Sequence, residues 1–291
     1  MSPAPSPEAV ASSGRDRAGV ARSAARVSLI DVFTSVAFAG NPAAVCLIDD
    51  DPPTQWRQSV ARELGVSDTA FLRRRERGVF ELRWFTPTVE VALCGHATLA
   101  SAHFLWEAGL VPGADPIRFE SKSGPLYARR NGASMELDFP AEPALACPPP
   151  EGLLGALGVS ARWFGRNRLD FIAQLDDAST VRAMRPDFSR LAAACGDLRG
   201  VVVTAASDDP NFDFVSRYFA PALGIDEDPV TGSTHCCLGP FWAERLGKRD
   251  LRAFQASSRG GSLTVRTGDA GRVYLGGTAV TIFRGELAIS E

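Results

Sequence analysis

The chain carries one stretch twice. The first copy is Leu93-Cys94-Gly95-His96-Ala97-Thr98-Leu99-Ala100, continuing through Phe104-Leu105-Trp106-Glu107. The second is Val230-Thr231-Gly232-Ser233-Thr234-His235, continuing through Phe241-Trp242-Ala243-Glu244. With Gly95 set against Gly232, Phe104 falls on Phe241 and Glu107 on Glu244 without a gap. Each copy is a glycine turn followed by an almost uniformly apolar run of helical length. A helix apolar on all sides is a buried helix. Its start presents unpaired backbone N–H groups and the positive end of the helix dipole. Two such starts can aim at one anion, which places the expected site at Gly95 and Gly232.

The repeat extends upstream. Phe80-Glu-Leu-Arg-Trp-Phe-Thr-Pro87 matches Phe214-Val-Ser-Arg-Tyr-Phe-Ala-Pro221, so that Phe, Arg, Phe and Pro coincide. From the proline to the glycine turn the second copy is three residues longer, and it contains Gly224-Ile-Asp-Glu-Asp228-Pro. A strand, a loop, a glycine turn and a buried helix thus recur in one order. That order predicts two similar halves related by a pseudo-twofold axis.

Residues 1–26 are expected to be a disordered tail, rich in Ser, Ala, Pro and Arg, with no apolar core of a secretory signal. The N-terminal half is expected over residues 27–139, a linker with five prolines over 140–150, and the C-terminal half over 151–279. The last strand, about residues 280–291, is expected to return to the first half. Alternation and β-branching predict strands at Val27–Phe33 and Ala43–Ile48 around a turn at Gly40-Asn41-Pro42. Pro53–Leu64 reads as a helix capped by Gly65. Val66–Leu72 reads as extended, with Asp68 in its middle, and Phe80–Phe85 as the returning strand. Later strands are expected at Ile117–Glu120, Gly124–Arg130, Ser134–Phe139, Asp170–Leu175, Val201–Ala206, Phe212–Phe219 and between Leu263 and Phe283. Short helices are expected at Leu153–Leu157 and Phe188–Cys195.

At 291 residues and 45% apolar, the chain can bury a substantial core. A net charge of −3 with interspersed signs argues against nucleic acid and against an anionic membrane surface. Six cysteines without paired Cys-x-x-Cys spacing read as reduced thiols in a cytoplasmic protein. No apolar run approaches bilayer length.

Several segments carry a resemblance. Asp31–Val45 (DVFTSVAFAGNPAAV), Ser67–Phe71, Phe85–Ala100, Arg217–Ser233 (RYFAPALGIDEDPVTGS) and Gly276–Leu287 (GGTAVTIFRGEL) resemble the phenazine-biosynthesis PhzF-like isomerases, over about residues 27–290. The resemblance implies an α+β fold shared with diaminopimelate epimerase. Each of its two pseudo-twofold-related domains would be a strand-rich barrel around a central buried helix. It also implies an isomerase that moves a proton with no metal or organic cofactor. In the family a carboxylate takes a proton from one ring carbon and returns it to another on the same face. Carried over by motif, that carboxylate is Asp68, where the family usually has Glu. The shorter side chain withdraws the carboxylate by roughly 1 Å, and misplacement on that scale can lose on the order of a hundredfold in rate. His96, Asp228 and Ser233 match the remaining polar site residues. Asp228 is expected to bond a substrate amine or hydroxyl. His96 is expected to orient the substrate or assist the proton shuttle, with a pKa near neutrality. Ser233 and the N–H groups of Gly95 and Gly232 are expected to hold a carboxylate or oxyanion. Asn41 is expected either as a wall of the site or as an Asx-turn residue.

Epimerases of this fold use two opposed thiols. Cys94 stands where the first falls, but the matching position is Thr231, whose hydroxyl is no useful base. A two-thiol racemase is therefore disfavoured, and Cys94 reads as a small packing residue; with Thr231 it is also placed among the residues expected to line the substrate site. A metal is not expected. His96 and His103 share a helix face, but seven residues at 1.5 Å rise place them roughly 10 Å apart, too far to share one ion at about 2 Å. No phosphate-binding glycine pattern occurs. Two classes of function follow: an isomerase acting by proton shift on a small carboxylate or amine, and a small-molecule-binding protein on the same scaffold. The partner is a small molecule in either case, with a homodimer left open as the assembly.

Overall fold

The computed structural model describes residues 25–113 and 115–288. The expected tail lies outside the described residues except at its end, where Ala25 is buried and Arg26 already opens a strand. The first half runs β1 (Arg26–Val32), β2 (Asn41–Ile48), α1 (Thr54–Leu64), β3 (Asp68–Glu76), β4 (Val79–Phe85), β5 (Glu90–Val91), α2 (Gly95–Glu107), β6 (Ile117–Ser121), β7 (Gly124–Asn131) and β8 (Ser134–Pro140). The second runs β9 (Leu145–Ala146), α3 (Leu153–Leu157), β10 (Trp163–Arg166), β11 (Phe171–Gln174), α4 (Ala178–Ala183), α5 (Phe188–Cys195), β12 (Val201–Ala206), β13 (Phe214–Ala220), β14 (Ile225–Asp228), α6 (Gly232–Leu246), β15 (Asp250–Gln255), β16 (Gly261–Thr267), β17 (Arg272–Gly277) and β18 (Ala279–Glu286).

The duplication is visible in the strand pairing. In the first half, β1–β2 is antiparallel, β2–β3 parallel, β3–β4 antiparallel and β4–β6 parallel; β6–β7 and β7–β8 are antiparallel. In the second half, β10–β11, β11–β12, β12–β13, β13–β15, β15–β16 and β16–β17 repeat those senses in that order. The final strands of the two halves, β8 and β17, pair with each other. The strand after each half then crosses over: β9 joins β10, and β18 joins β1. The strands of both halves join in one continuous sheet, and each half packs against one apolar helix. Every residue of α2 from His96 to Trp106 except His103 is buried. In α6 all residues from Gly232 to Trp242 except Ser233 and Pro240 are buried.

Pro240 lies inside α6 and has no N–H for the carbonyl of Cys236 one turn earlier. That carbonyl instead accepts from the N–H of Glu142, 3.0 Å away. The stretch expected as a linker over 140–150 is therefore docked on the second half. Pro140 ends β8, Glu142 fills the gap left by Pro240, and Leu145–Ala146 forms β9. Six elements are not among those read from the sequence: β5 and β9, of two residues each, and β10, α4, β14 and β15. β10 and β14 are four residues long, too short for a period to show, and α4 has six. β15 does alternate, but its inward positions end on the polar Gln255, which is fully buried.

Candidate active site

The two helix starts meet. A Cβ built on Gly95 would lie 3.8 Å from Gly232 Cα, and one built on Gly232 would lie 3.8 Å from Gly95 Cα. Neither helix caps itself: Cys94 and Thr231, the N-cap residues, make no side-chain capping hydrogen bond. Two positive dipole ends with uncapped first turns thus converge between the halves.

On the first-half side stand Asp68, His96 and Cys94. Asp68 opens β3 opposite Ala43 of β2, which brings its carboxylate to the start of α2. His96 Nε2 lies 3.5 Å from Asp68 Oδ2, and Cys94 Sγ lies 3.5 Å from His96 Nδ1. Asp68 Oδ1 and His96 Nε2 are buried with no hydrogen-bond partner. Burial pushes the Asp68 carboxyl up to about 7; a hydrogen bond from the Cys94 thiol opposes the rise and the charge of Asp228 adds to it. Burial alone pushes His96 down to about 4. The imidazole is therefore neutral at pH 7, which corrects the expectation of a near-neutral pKa. It can donate or accept a hydrogen bond but does not serve as a cationic acid. Burial, and then the charge of Asp68, raise the Cys94 thiol well above its ordinary value, so Cys94 is not a thiolate base.

On the other side stands Asp228. It accepts from Asn41 Nδ2 at 2.9 Å and from the Thr231 hydroxyl. The same Asn41 amide donates to the Val230 carbonyl at 2.8 Å, and Ser67 Oγ donates to Asn41 Oδ1 at 3.1 Å. Asn41 is thus a fully buried tie between the halves and not an Asx turn. Gln255 accepts from the Thr231 N–H at 2.9 Å and donates to the Asp228 carbonyl at 2.8 Å. Burial raises the Asp228 carboxyl to about 6 against the hydrogen bonds from Thr231 and Asn41 and the charge of Arg199. Ser233 sits at the α6 start, with Arg199 Nη2 3.5 Å from its hydroxyl.

All the expected residues, Asn41, Asp68, Cys94, Gly95, His96, Asp228, Thr231, Gly232 and Ser233, therefore gather at one junction. His103 and His235 stand apart from it. His235 is fully buried with Nδ1 2.8 Å from the Thr231 carbonyl, and His103 Nε2 meets Thr281 Oγ1 at 3.1 Å. Donor atoms of Asp68, Cys94 and His96 lie within 4.8 Å of one another, near enough to hold one thiophilic ion. Spacing along the helix does not reveal this trio, because Asp68 comes from a separate strand.

The site is not symmetric. The duplication sets Phe85 against Phe219. Thr69 pairs with Phe85 and Val201 with Phe219. One residue earlier, Asp68 corresponds to Gly200, and before that Ser67 corresponds to Arg199. A Cβ on Gly200 would lie 2.2 Å from the Phe219 carbonyl oxygen. The second half therefore has no room for a carboxylate matching Asp68. Arg199 and Gln255 stand at this junction outside the motifs, and Ser67, which opens the Ser67–Phe71 motif, is not among the residues expected in the site. Extending the repeat back by one strand would have flagged Ser67 and Arg199.

The structure of a PhzF family protein from Enterococcus faecalis matches at a TM-score of 0.86 and 39% identity, covering 91% of this chain and 100% of that one. An uncharacterized isomerase of Halalkalibacterium halodurans is 47% identical over 264 residues, 90% of this chain and 98% of that protein. A probable proline racemase from Agrobacterium radiobacter shares the fold alone, with a TM-score of 0.58 at 13% identity, over 91% of this chain and 93% of that one. Fold and relatives together define the class, an isomerase of epimerase-like architecture. The chain belongs to the phenazine biosynthesis-like (PhzC/PhzF) family, whose model matches residues 30–285.

Proposed function

We propose that the protein shifts a proton between two carbons of a small substrate bearing a carboxylate and an amine or hydroxyl. The shift runs on one face, without metal or organic cofactor, as a step of the kind used in secondary-metabolite biosynthesis. The observation that carries this reading is the one-sided base: Asp68 near neutrality at one helix start, and Gly200 at the equivalent position of the other. A racemase needs an acid and a base on opposite faces. Here the second thiol position is Thr231, whose hydroxyl is engaged by Asp228. One base serving two carbons fits better. Asp68 as carboxylate takes the proton, leaving a delocalised carbanion and a neutral acid. The neutral acid then returns the proton to the second carbon. A base with a pKa near the working pH is suited to both halves of that cycle. Neutral His96, with Nε2 unpartnered, orients the substrate by a hydrogen bond. Asp228, fixed by Asn41 and Thr231, accepts from the amine or hydroxyl. The uncapped helix starts face the charge that develops. Exposed apolar residues on the two equivalent loops, Val89 and Leu93 in one and Leu223 and Ile225 in the other, offer contact to its carbon skeleton.

Incubation with candidate amino- or hydroxy-carboxylates in heavy water tests the reading. The expected result is deuterium at the shifted carbon, unchanged by EDTA. A protein that binds such a ligand but labels no carbon is a binding module. Labelling lost to EDTA and regained with a transition ion would assign Asp68, Cys94 and His96 to a metal instead.

A further inference from the structure

The helix starts are equivalent in sequence but differ in the charged side chain that meets the residue after the glycine. The residue after Gly95 is His96, 3.5 Å from Asp68. The residue after Gly232 is Ser233, 3.5 Å from Arg199. Register places Arg199-Gly200 where the first half has Ser67-Asp68. One half thus brings a carboxyl to its helix start and the other a guanidinium, which is paired on one edge with Asp170. We propose that Arg199 receives the substrate's carboxylate and so decides which end of the substrate faces Asp68. This rests on the isomerase reading, in which the substrate is an anion.

The Arg199 guanidinium is held in a set plane. Nε and Nη2 donate to the two oxygens of Asp170 at 3.2 and 2.5 Å. Asp170 is 1% exposed and also accepts from the Tyr218 hydroxyl at 2.7 Å. Among the described residues Nη1 has no hydrogen-bond partner, and the side chain is 33% exposed. A fork fixed on one edge and open on the other is suited to a planar anion. Nη2, which bonds Asp170, also lies 3.5 Å from the Ser233 hydroxyl at the uncapped start of α6. Across the junction, Asp68 Oδ1 and His96 Nε2 are buried without partners, and His96 is 6% exposed, so polar atoms on both sides lack a ligand's groups. Electrostatics then sets the direction. A substrate carboxylate beside Asp68 would push that acid further up and keep it protonated. The same carboxylate at Arg199 is paired and leaves Asp68 free to act. A purely structural ion pair explains the contacts to Asp170 but neither the free Nη1 nor the contact of Nη2 with Ser233 at the α6 start.

Benzoate and benzamide differ in charge and hardly in shape, so their dissociation constants, from ligand-observed NMR on the full chain, test the assignment. Wild type is expected to bind benzoate about ten- to a hundredfold more tightly, the range of a charge-assisted hydrogen bond. Arg199→Gln removes that preference and leaves benzamide unchanged. Because it also strands the buried Asp170, the double variant Arg199→Gln/Asp170→Asn is measured beside it. Asp170→Asn alone, which retains the cation, keeps the preference. The assignment is overturned if the folded double variant still prefers benzoate, or if wild type binds both alike or neither at millimolar concentration. Lost preference with no deuterium labelling anywhere would sink the isomerase reading and not this contact. Intact labelling with an unaltered preference would do the reverse.

Discussion

Asp68→Asn is expected to lower proton transfer by about a hundredfold to ten-thousandfold, the usual loss when a general base is removed. Asn retains the shape and one acceptor oxygen but cannot take a proton at neutral pH. Stability should move the other way. The folded protein holds the Asp68 proton up to about pH 7, whereas an unfolded chain releases it near pH 4. Between those values the folded state binds more protons, so stability falls as pH rises. Above pH 7 the buried charge costs on the order of a few kcal/mol, and Asn removes it. Asp68→Asn should therefore melt higher than wild type at pH 8, with the difference vanishing near pH 4. Asp68→Glu should also slow the reaction. Asp68 already lies 3.5 Å from His96 Nε2 and takes the Cys94 hydrogen bond. An added methylene would press the carboxylate toward these groups and away from the position Asp68 holds. Undiminished labelling by Asp68→Asn would pass the base role to another group.

Gly200→Ala is expected to destabilise the fold by about 2–3 kcal/mol or more, the cost of forcing atoms into a packed site. The new Cβ would stand 2.2 Å from the Phe219 carbonyl oxygen, 2.9 Å from Ala220 Cα and 3.0 Å from the Phe219 carbonyl carbon. These are backbone atoms of β13 and cannot swing away. Gly95→Ala is the control. Its Cβ would meet nothing closer than 3.7 Å, so a change within about 1 kcal/mol is expected. Urea midpoints of the two variants give the comparison. Equal midpoints would mean that Gly200 is not sterically required, and the lack of a second base would need another explanation.

The parts of the site legible in the sequence are those the repeat writes twice. Gly95 and Gly232, the helices they open, and the strands ending at Phe85 and Phe219 carry one pattern in two places. Their meeting follows from the pseudo-twofold relation. Asp68, His96 and Asp228 stand in motifs of a known family, so resemblance supplies them. The electrostatic state of His96 is not legible, because its pKa is set by burial from chain segments far away in sequence. Asn41 as a tie between halves is hidden for the same reason: Asp228 lies 187 residues further on. Arg199 and Asp170 belong to no motif and meet only when β11 and β12 pair. The gap at Pro240 can be read from sequence, but the Glu142 N–H that fills it cannot. Short strands such as Trp163–Arg166 form because neighbours recruit them on both sides.

Asp68, as a single base poised near neutrality, has a carboxyl that can be titrated without knowing the substrate. Carbon-13 NMR of aspartate-labelled protein, with the Asp68→Asn spectrum identifying the resonance by its loss, follows that one group. The expected midpoint is about 7, set chiefly by burial. A midpoint near the ordinary carboxylate value of about 4 would contradict it, leaving a charged acid with no capacity to hold and return a proton at neutral pH.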